Sequence, residues 1–165
     1  MRLQKTIALL GVGFLLASCG EPAAPAKSVH YTLSPQDNAR YLADYAARPG
    51  VFKTADGLEY RILKSGTGKG PQSGDDLVTV DYKGALIDGT VFDQSEAGQP
   101  ATFPAGRLIP GWVEALSMMK EGDQWELVIP SDLGYGPDGA GDGAIPGDQT
   151  LVFQMTLLAV MPTQP

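Results

Sequence analysis

The sequence predicts an α+β domain in which an antiparallel, five- to six-stranded sheet wraps around one short helix. Three observations carry that reading. Within Phe103 to Gly122, Trp112, Ala115, Leu116 and Met119 fall at i, i+3, i+4 and i+7, the single convincing stripe of a buried helix. Stretches that alternate apolar with polar residues flank it on both sides, as half-buried strands do. The 21 glycines and 13 prolines suit a domain rich in tight turns. A helix this short is marginal alone and must be held by packing. A signal peptide, a tether and a short N-terminal helix precede the domain.

In chain order, residues 1–18 have the layout of a secretion signal. Arg2 and Lys5 form its charged end, and Ile7 to Ala17 is an apolar run too short for a stable membrane span. The run ends in Leu16-Ala17-Ser18-Cys19, which resembles the lipobox of bacterial lipoproteins; the resemblance implies that Cys19 is lipidated and becomes the first residue. Cys19 is the only cysteine, so no intramolecular disulfide can form. Losing Arg2 and Lys5 lowers Lys+Arg from 12 to 10 against 19 acidic residues, a mature charge of about −9. Such a chain repels phosphate backbones, which argues against a nucleic-acid partner.

Residues 19–50 hold the lipidated cysteine, a Pro/Ala-rich tether from Gly20 to Val29, and a short helix. Ser34 is its N-cap, Pro35 its first residue, Asp37 lies near its positive end, and Pro49-Gly50 ends it. Ala39, Leu42, Ala43 and Ala46 make a modest apolar face. The helix either packs on the domain or serves as a spacer, and so thin a face favours the spacer.

Residues 51–162 form the domain. Strands are expected over Leu58 to Lys64, Leu77 to Leu86, Thr90 to Asp93, Ala101 to Phe103, and Gln124 to Ile129. Asp88-Gly89 is a hairpin turn. Pro110 and Gly111 stop the segment before the core helix, and Gly122, in left-handed conformation, ends that helix with Lys120 in its last turn. Leu133 to Gly147 is a long loop holding six glycines. Thr150 to Val160, apolar almost throughout, is expected to be a strand buried on both faces.

The usual catalytic parts are missing. The only histidine, His30, falls in the tether region, no Cys/His cluster can hold zinc, and no glycine-rich loop forms a phosphate cradle. Asp132, Asp138, Asp142 and Asp148 share one loop without calcium-loop spacing, which reads as a solvated acidic loop. Aromatic residues beside turns and strand ends remain. Most aromatics fill cores, but Tyr135 sits between two glycines where no core stripe needs it, and Trp112 follows Pro-Gly directly. A concave apolar site with few polar groups is the usual form of a small-ligand or peptide pocket.

From about residue 51 to 160 the chain resembles the FKBP-type peptidyl-prolyl cis–trans isomerases. The resemblance rests on VDYKGAL with IDGTVFD, then FPAGRLIPGWVEAL, PSDLGYG and IPGDQTLVFQMTLL, in this order and spacing. It implies an isomerase of X–Pro bonds, with no cofactor and no metal. The implied pocket is lined by Tyr82, Phe92, Phe103, Trp112 and Phe153, with Asp93 beside it, Leu108 and Ile109 as an aliphatic wall, and Ile145 as a further substrate contact. It makes Trp112 the floor under the substrate proline, and the Ile109 N–H and the Tyr135 hydroxyl the groups that orient bound carbonyls. Tyr82, Asp93, Trp112 and Tyr135 are the expected catalytic set. A binding module or chaperone that grips proline-containing segments with little turnover is the alternative; retention of the whole aromatic set favours the enzyme.

The chain departs from the family pattern in places. Leu133 stands where many members carry an aromatic, so that wall should be more open. Gly147 replaces the second proline of Ile-Pro-Pro, and with Ala144 and the glycines at 139, 141 and 143 this implies a looser loop. The segment before Val51 is shorter than the dimerisation arm of some surface-exposed relatives, so a monomer is expected. The expected partners are proline-containing segments of folding proteins outside the cytoplasm. The expected location is the bacterial envelope, with the lipid at Cys19 in the outer membrane and the domain facing the periplasm.

Overall fold

A computed structural model describes residues 29–163; the signal, Cys19 and nearly all of the tether lie outside them. The elements are α1 (Pro35–Ala46), β1 (Val51–Lys53), β2 (Glu59–Lys64), β3 (Leu77–Leu86), β4 (Val91–Gln94), β5 (Ala101–Pro104), α2 (Pro110–Met118), β6 (Gln124–Ile129) and β7 (Leu151–Met161). Three single-turn 3₁₀ segments, Ser131–Leu133, Gly136–Asp138 and Gly141–Gly143, punctuate the long glycine loop. None of the described helices is long and apolar enough to cross a membrane.

One antiparallel sheet runs β1-β2-β6-β7-β3-β4. Its spine is the β3–β7 pair, in register from Leu77 opposite Met161 to Leu86 opposite Leu151 with one bulge. The far edge of β3 is shared: β4 pairs with Lys83 to Ala85 and β5 with Leu77 to Val80. Tyr82 is left between the two short strands. The described sheet has seven strands rather than five or six, the addition being the three-residue β1, which is too short to show a period.

The core helix uses the anticipated face. Trp112, Ala115, Leu116 and Met119 are at most 4% exposed and pack with Leu127, Ile129, Met155 and Leu157 of the sheet. Burying each large side chain contributes roughly 1.5–3 kcal/mol. Pro110 is the first residue of α2 rather than a stop before it, as a residue with no N–H to satisfy can be. Gly111 lies inside the helix because a Cβ there would come within 2.6 Å of Ile129 Cγ2. The helix also ends earlier than expected. Met119 turns to extended backbone at φ −81, ψ 157, so Lys120 lies beyond α2. Gly122 uses its φ of +91 in the turn into β6, where its N–H donates to the Leu157 carbonyl.

Two further expectations are corrected. β7 is buried on one face: Leu151, Phe153, Met155 and Leu157 are covered, whereas Gln154 and Leu158 are exposed. Its apolar outward residues mimic a doubly covered strand. α1 is no spacer. Ser34 caps it as anticipated, accepting from the Asp37 N–H at 3.2 Å, but the alanine face stays outside: Ala39, Ala43 and Ala46 are exposed. Asn38 and Tyr45, seven positions apart, are buried instead. The Tyr45 hydroxyl donates to Glu126 on β6 at 2.9 Å, and Glu126 also pairs with Arg61 on β2 at 3.1 Å. Val128 is fully buried yet lies outside the core around α2. It alternates with Leu127, so it belongs to the sheet face opposite that core, the face that carries Glu126 and is met by α1.

Candidate active site

Trp112, in the first turn of α2, is the hub of an aromatic cluster. Its ring meets Tyr82 of β3 at 5.1 Å and Phe153 of β7 at 5.2 Å, both edge-on, and Phe103 of β5 at 6.3 Å. Phe92 of β4 meets Phe153 edge-on at 5.5 Å. Edge-to-face contacts set the positive rim of one ring against the negative face of another and hold the rings at fixed angles. The split edge of β3 makes this possible by carrying Phe92 and Phe103 on separate strands to either side of Tyr82.

Tyr82, Phe92, Asp93, Phe103, Leu108, Ile109, Trp112, Tyr135 and Phe153 line one cavity of about 190 Å³. Leu108 and Ile109 come from the turn that enters α2, and Ile109 is the residue before its first turn. Tyr135 comes from the loop between the first two 3₁₀ turns and is 39% exposed, at the mouth. Every residue expected at the site is present in this cavity except Ile145. That side chain is buried in the core and borders an adjoining cavity of about 200 Å³, which shares Phe92, Asp93 and Tyr135 and is completed by Ala140, Gly141 and Ala144. Leu133 packs at the edge of the core and borders neither cavity.

The polar side of the cavity is narrow and ordered. The Tyr82 hydroxyl donates to Asp93 Oδ2 at 2.6 Å, while Asp93 Oδ1 accepts the Gln94 N–H at 2.9 Å. Both carboxylate oxygens are thus fixed. Burial, reinforced by the hydrogen bond to Asp93 and by its charge, pushes the Tyr82 phenol far above the ordinary 10.0. Tyr135 is also raised, by burial first and then by the charge of Asp93. Both phenols therefore stay protonated at neutral pH and can donate. The buried Trp112 indole N–H has no acceptor among the described residues.

Gly84 is a contributor that sequence reasoning missed. It sits in β3 opposite Asp93 on one side and Phe153 on the other. A Cβ there would lie 2.6 Å from Phe153 Cε1 and 2.7 Å from Phe92 Cζ. The absent side chain is the space those rings occupy, and a lone glycine inside an alternating strand was the available signal.

The long loop is tighter than anticipated. A Cβ on Gly147 would stand 2.0 Å from the Pro137 carbonyl oxygen, and one on Gly139 2.2 Å from the Ile145 carbonyl. Glycine at 147 marks close backbone contact across the loop, which a proline ring would not fit, rather than a slack joint. Asp132, Asp138, Asp142 and Asp148 are all exposed, and among the described residues no group of three His, Cys, Asp or Glu could hold a metal ion. A further cavity of about 170 Å³ beside α2, between Pro71–Gly74 and Ala105–Gly106, has neither aromatic nor titratable side chains in its lining.

Residues 68–158 match the family model of FKBP-type peptidyl-prolyl cis-trans isomerases. The chain is 48% identical over 126 residues to the FKBP-type 22 kDa peptidyl-prolyl cis-trans isomerase of Escherichia coli, covering 76% of this chain and 60% of that protein. It is 47% identical over 121 residues to the outer membrane protein MIP of Legionella longbeachae, covering 73% of this chain and 51% of the relative. The chain thus spans only half to three-fifths of the length of these two relatives. Among solved structures, a peptidyl-prolyl cis-trans isomerase from Pseudomonas syringae superposes with a TM-score of 0.70 at 42% identity, over 77% of this chain and 92% of that one.

Proposed function

The chain belongs to the FKBP-type peptidyl-prolyl cis-trans isomerases, and from that premise we propose that it accelerates X–Pro rotation in protein clients outside the cytoplasm, binding the twisted amide in the aromatic cavity. The observation that carries this reading is the convergence of Trp112, Tyr82, Phe103 and Phe153 with the ordered Asp93 carboxylate on a single small cavity.

Rotation about a peptide bond meets a barrier of about 18–20 kcal/mol, set by amide resonance. No bond breaks, so neither nucleophile nor metal is required. Twisting removes the conjugation and lowers the amide dipole. An apolar cavity penalises the planar, strongly dipolar forms more than the twisted one, and catalysis is that difference in binding. In this reading the proline ring rests on Trp112 between Tyr82, Phe103 and Phe153. The Ile109 N–H and the Tyr135 hydroxyl orient the flanking carbonyls. Asp93 holds Tyr82 in place, and Ile145 contacts the substrate beyond Phe92 and Tyr135.

The test is cis–trans exchange of a short X–Pro peptide followed by NMR, with the wild-type chain and with Trp112→Ala. Accelerated exchange by the wild type, much weaker in the variant, supports the isomerase. A folded wild type that binds the peptide without accelerating exchange would mean a binding module or chaperone instead.

The reading extends to location. Lipidation at Cys19 anchors the chain as a monomer in the envelope, in the outer membrane with the domain facing the periplasm. The Leu16-Ala17-Ser18-Cys19 sequence and the outer-membrane name of one relative support it.

A further inference from the structure

Asn38 joins α1 to a part of the chain 111 residues away. Its Nδ2 donates to Gln149 Oε1 at 3.0 Å and to the Ser34 carbonyl at 3.0 Å, and its Oδ1 accepts the Thr150 N–H at 2.7 Å. Gln149 Nε2 answers by donating to the carbonyls of Leu33 at 3.3 Å and Gly147 at 3.0 Å. Asn38, Gln149 and Thr150 are all buried. Two primary amides are thus paired with one another and with the backbone on both sides, so none of their four polar atoms is left unmet.

These bonds grip the returning limb of the loop that carries Tyr135. The Asp148 N–H, next to Gln149, donates to the Gly136 carbonyl at 2.9 Å, and Gly136 follows Tyr135 directly. Gly147 is seated against the Pro137 carbonyl. Asp148 itself has a φ of +60, an uncommon conformation for a residue with a side chain, and is held there by its neighbours. From α1 to the pocket mouth, the path is Asn38, Gln149–Thr150, Asp148, Gly136 and Tyr135. α1 has a separate anchor in Tyr45, which is bonded to Glu126 on β6. Docking the helix therefore does not account for Asn38, whose far contacts all go to the root of the loop.

We propose that Asn38 is a positioning residue for the pocket: with Gln149 it clamps the root of the 134–150 loop and so sets Tyr135 at the mouth. This makes α1 part of the isomerase unit, and it rests on the isomerase reading above.

The full chain is compared with Asn38→Ala, Gln149→Ala and Tyr45→Phe. Two quantities are read: kcat/KM on a short X–Pro peptide, and amide hydrogen exchange in the segment 147–151. Asn38→Ala and Gln149→Ala should each lower kcat/KM about tenfold, as displaced positioning groups do, and should speed exchange in that segment. Tyr45→Phe loosens the other anchor and should leave both quantities within about twofold. The proposal is overturned if Asn38→Ala costs no more than Tyr45→Phe, or if exchange in 147–151 is unmoved. Should Asn38→Ala not fold, Gln149→Ala decides by the same criteria. If the wild type accelerates no exchange of the peptide, the isomerase reading fails separately. The clamp is then judged by hydrogen exchange and by peptide affinity, which require no turnover.

Discussion

Gly84 shows how a residue without a side chain shapes the pocket. Gly84→Ala should push the rings of Phe92 and Phe153, raising KM for an X–Pro peptide several-fold while costing about 1–3 kcal/mol in stability; urea melts beside steady-state kinetics separate the two effects. The phenols make a pH prediction. Tyr82 and Tyr135 are both raised from 10.0, so neither should ionise between about pH 6 and pH 9, and the isomerisation rate should be flat across that range. The stability consequence has a definite sign. Below about pH 10 both states hold the protons and the full stability is present; above it the unfolded phenols ionise first, and stability falls until the folded ones follow. Thermal melts from pH 9 upward should show this decline, shallower in Tyr82→Phe. The aromatic positions were legible because their types sit beside turns in an order that matches a known pattern. Gly84 was not, because what it contributes is the absence of a side chain, which no periodicity of side chains records.

At the level of elements, the buried face of α2 was readable from its spacing, whereas α1 was readable in its capped start at Ser34 and Pro35 but not in the face it buries. The stripe from Trp112 to Met119 faces a generic apolar core, which any period-3.6 pattern reports. The buried face of α1 is Asn38 and Tyr45, residues whose burial depends on Gln149, Thr150 and Glu126, and nothing local announces those partners. Its alanines suggested a face that solvent in fact covers. The end of α2 was misplaced for a related reason. Gly122 does have positive φ, but it serves the turn into β6, so a correct conformation was assigned to the wrong joint. Gly111→Ala tests how closely α2 is seated. Its Cβ would overlap Ile129, so the substitution should lower stability by about 1–3 kcal/mol although alanine is the better helix former. An unchanged denaturation midpoint would mean that the helix can slide away from β6 without cost.

For the molecule as a whole, the sheet around one helix followed from alternation and turn residues, while the burial of β7 on one face only depended on where the sheet's layers end. Anchoring is tested at this scale. Cys19→Ala should move the protein from the membrane fraction to the soluble fraction of the envelope without changing kcat/KM, as fractionation followed by an assay of each pool would reveal. Retention of the variant on the membrane would remove the lipid proposal and leave the catalytic one standing. The docking of α1 also bears on the reach of the domain. As a free rod its 12 residues would add about 18 Å of standoff; folded back on the sheet, it adds none. With Cys19 as the fixed point, the chain from there to Val29 can pay out at most about 35 Å even when fully extended. Under the proposed anchoring at Cys19 the domain would be held on a short leash, and a longer spacer inserted before Val29 should then widen its catch more than any change inside the pocket.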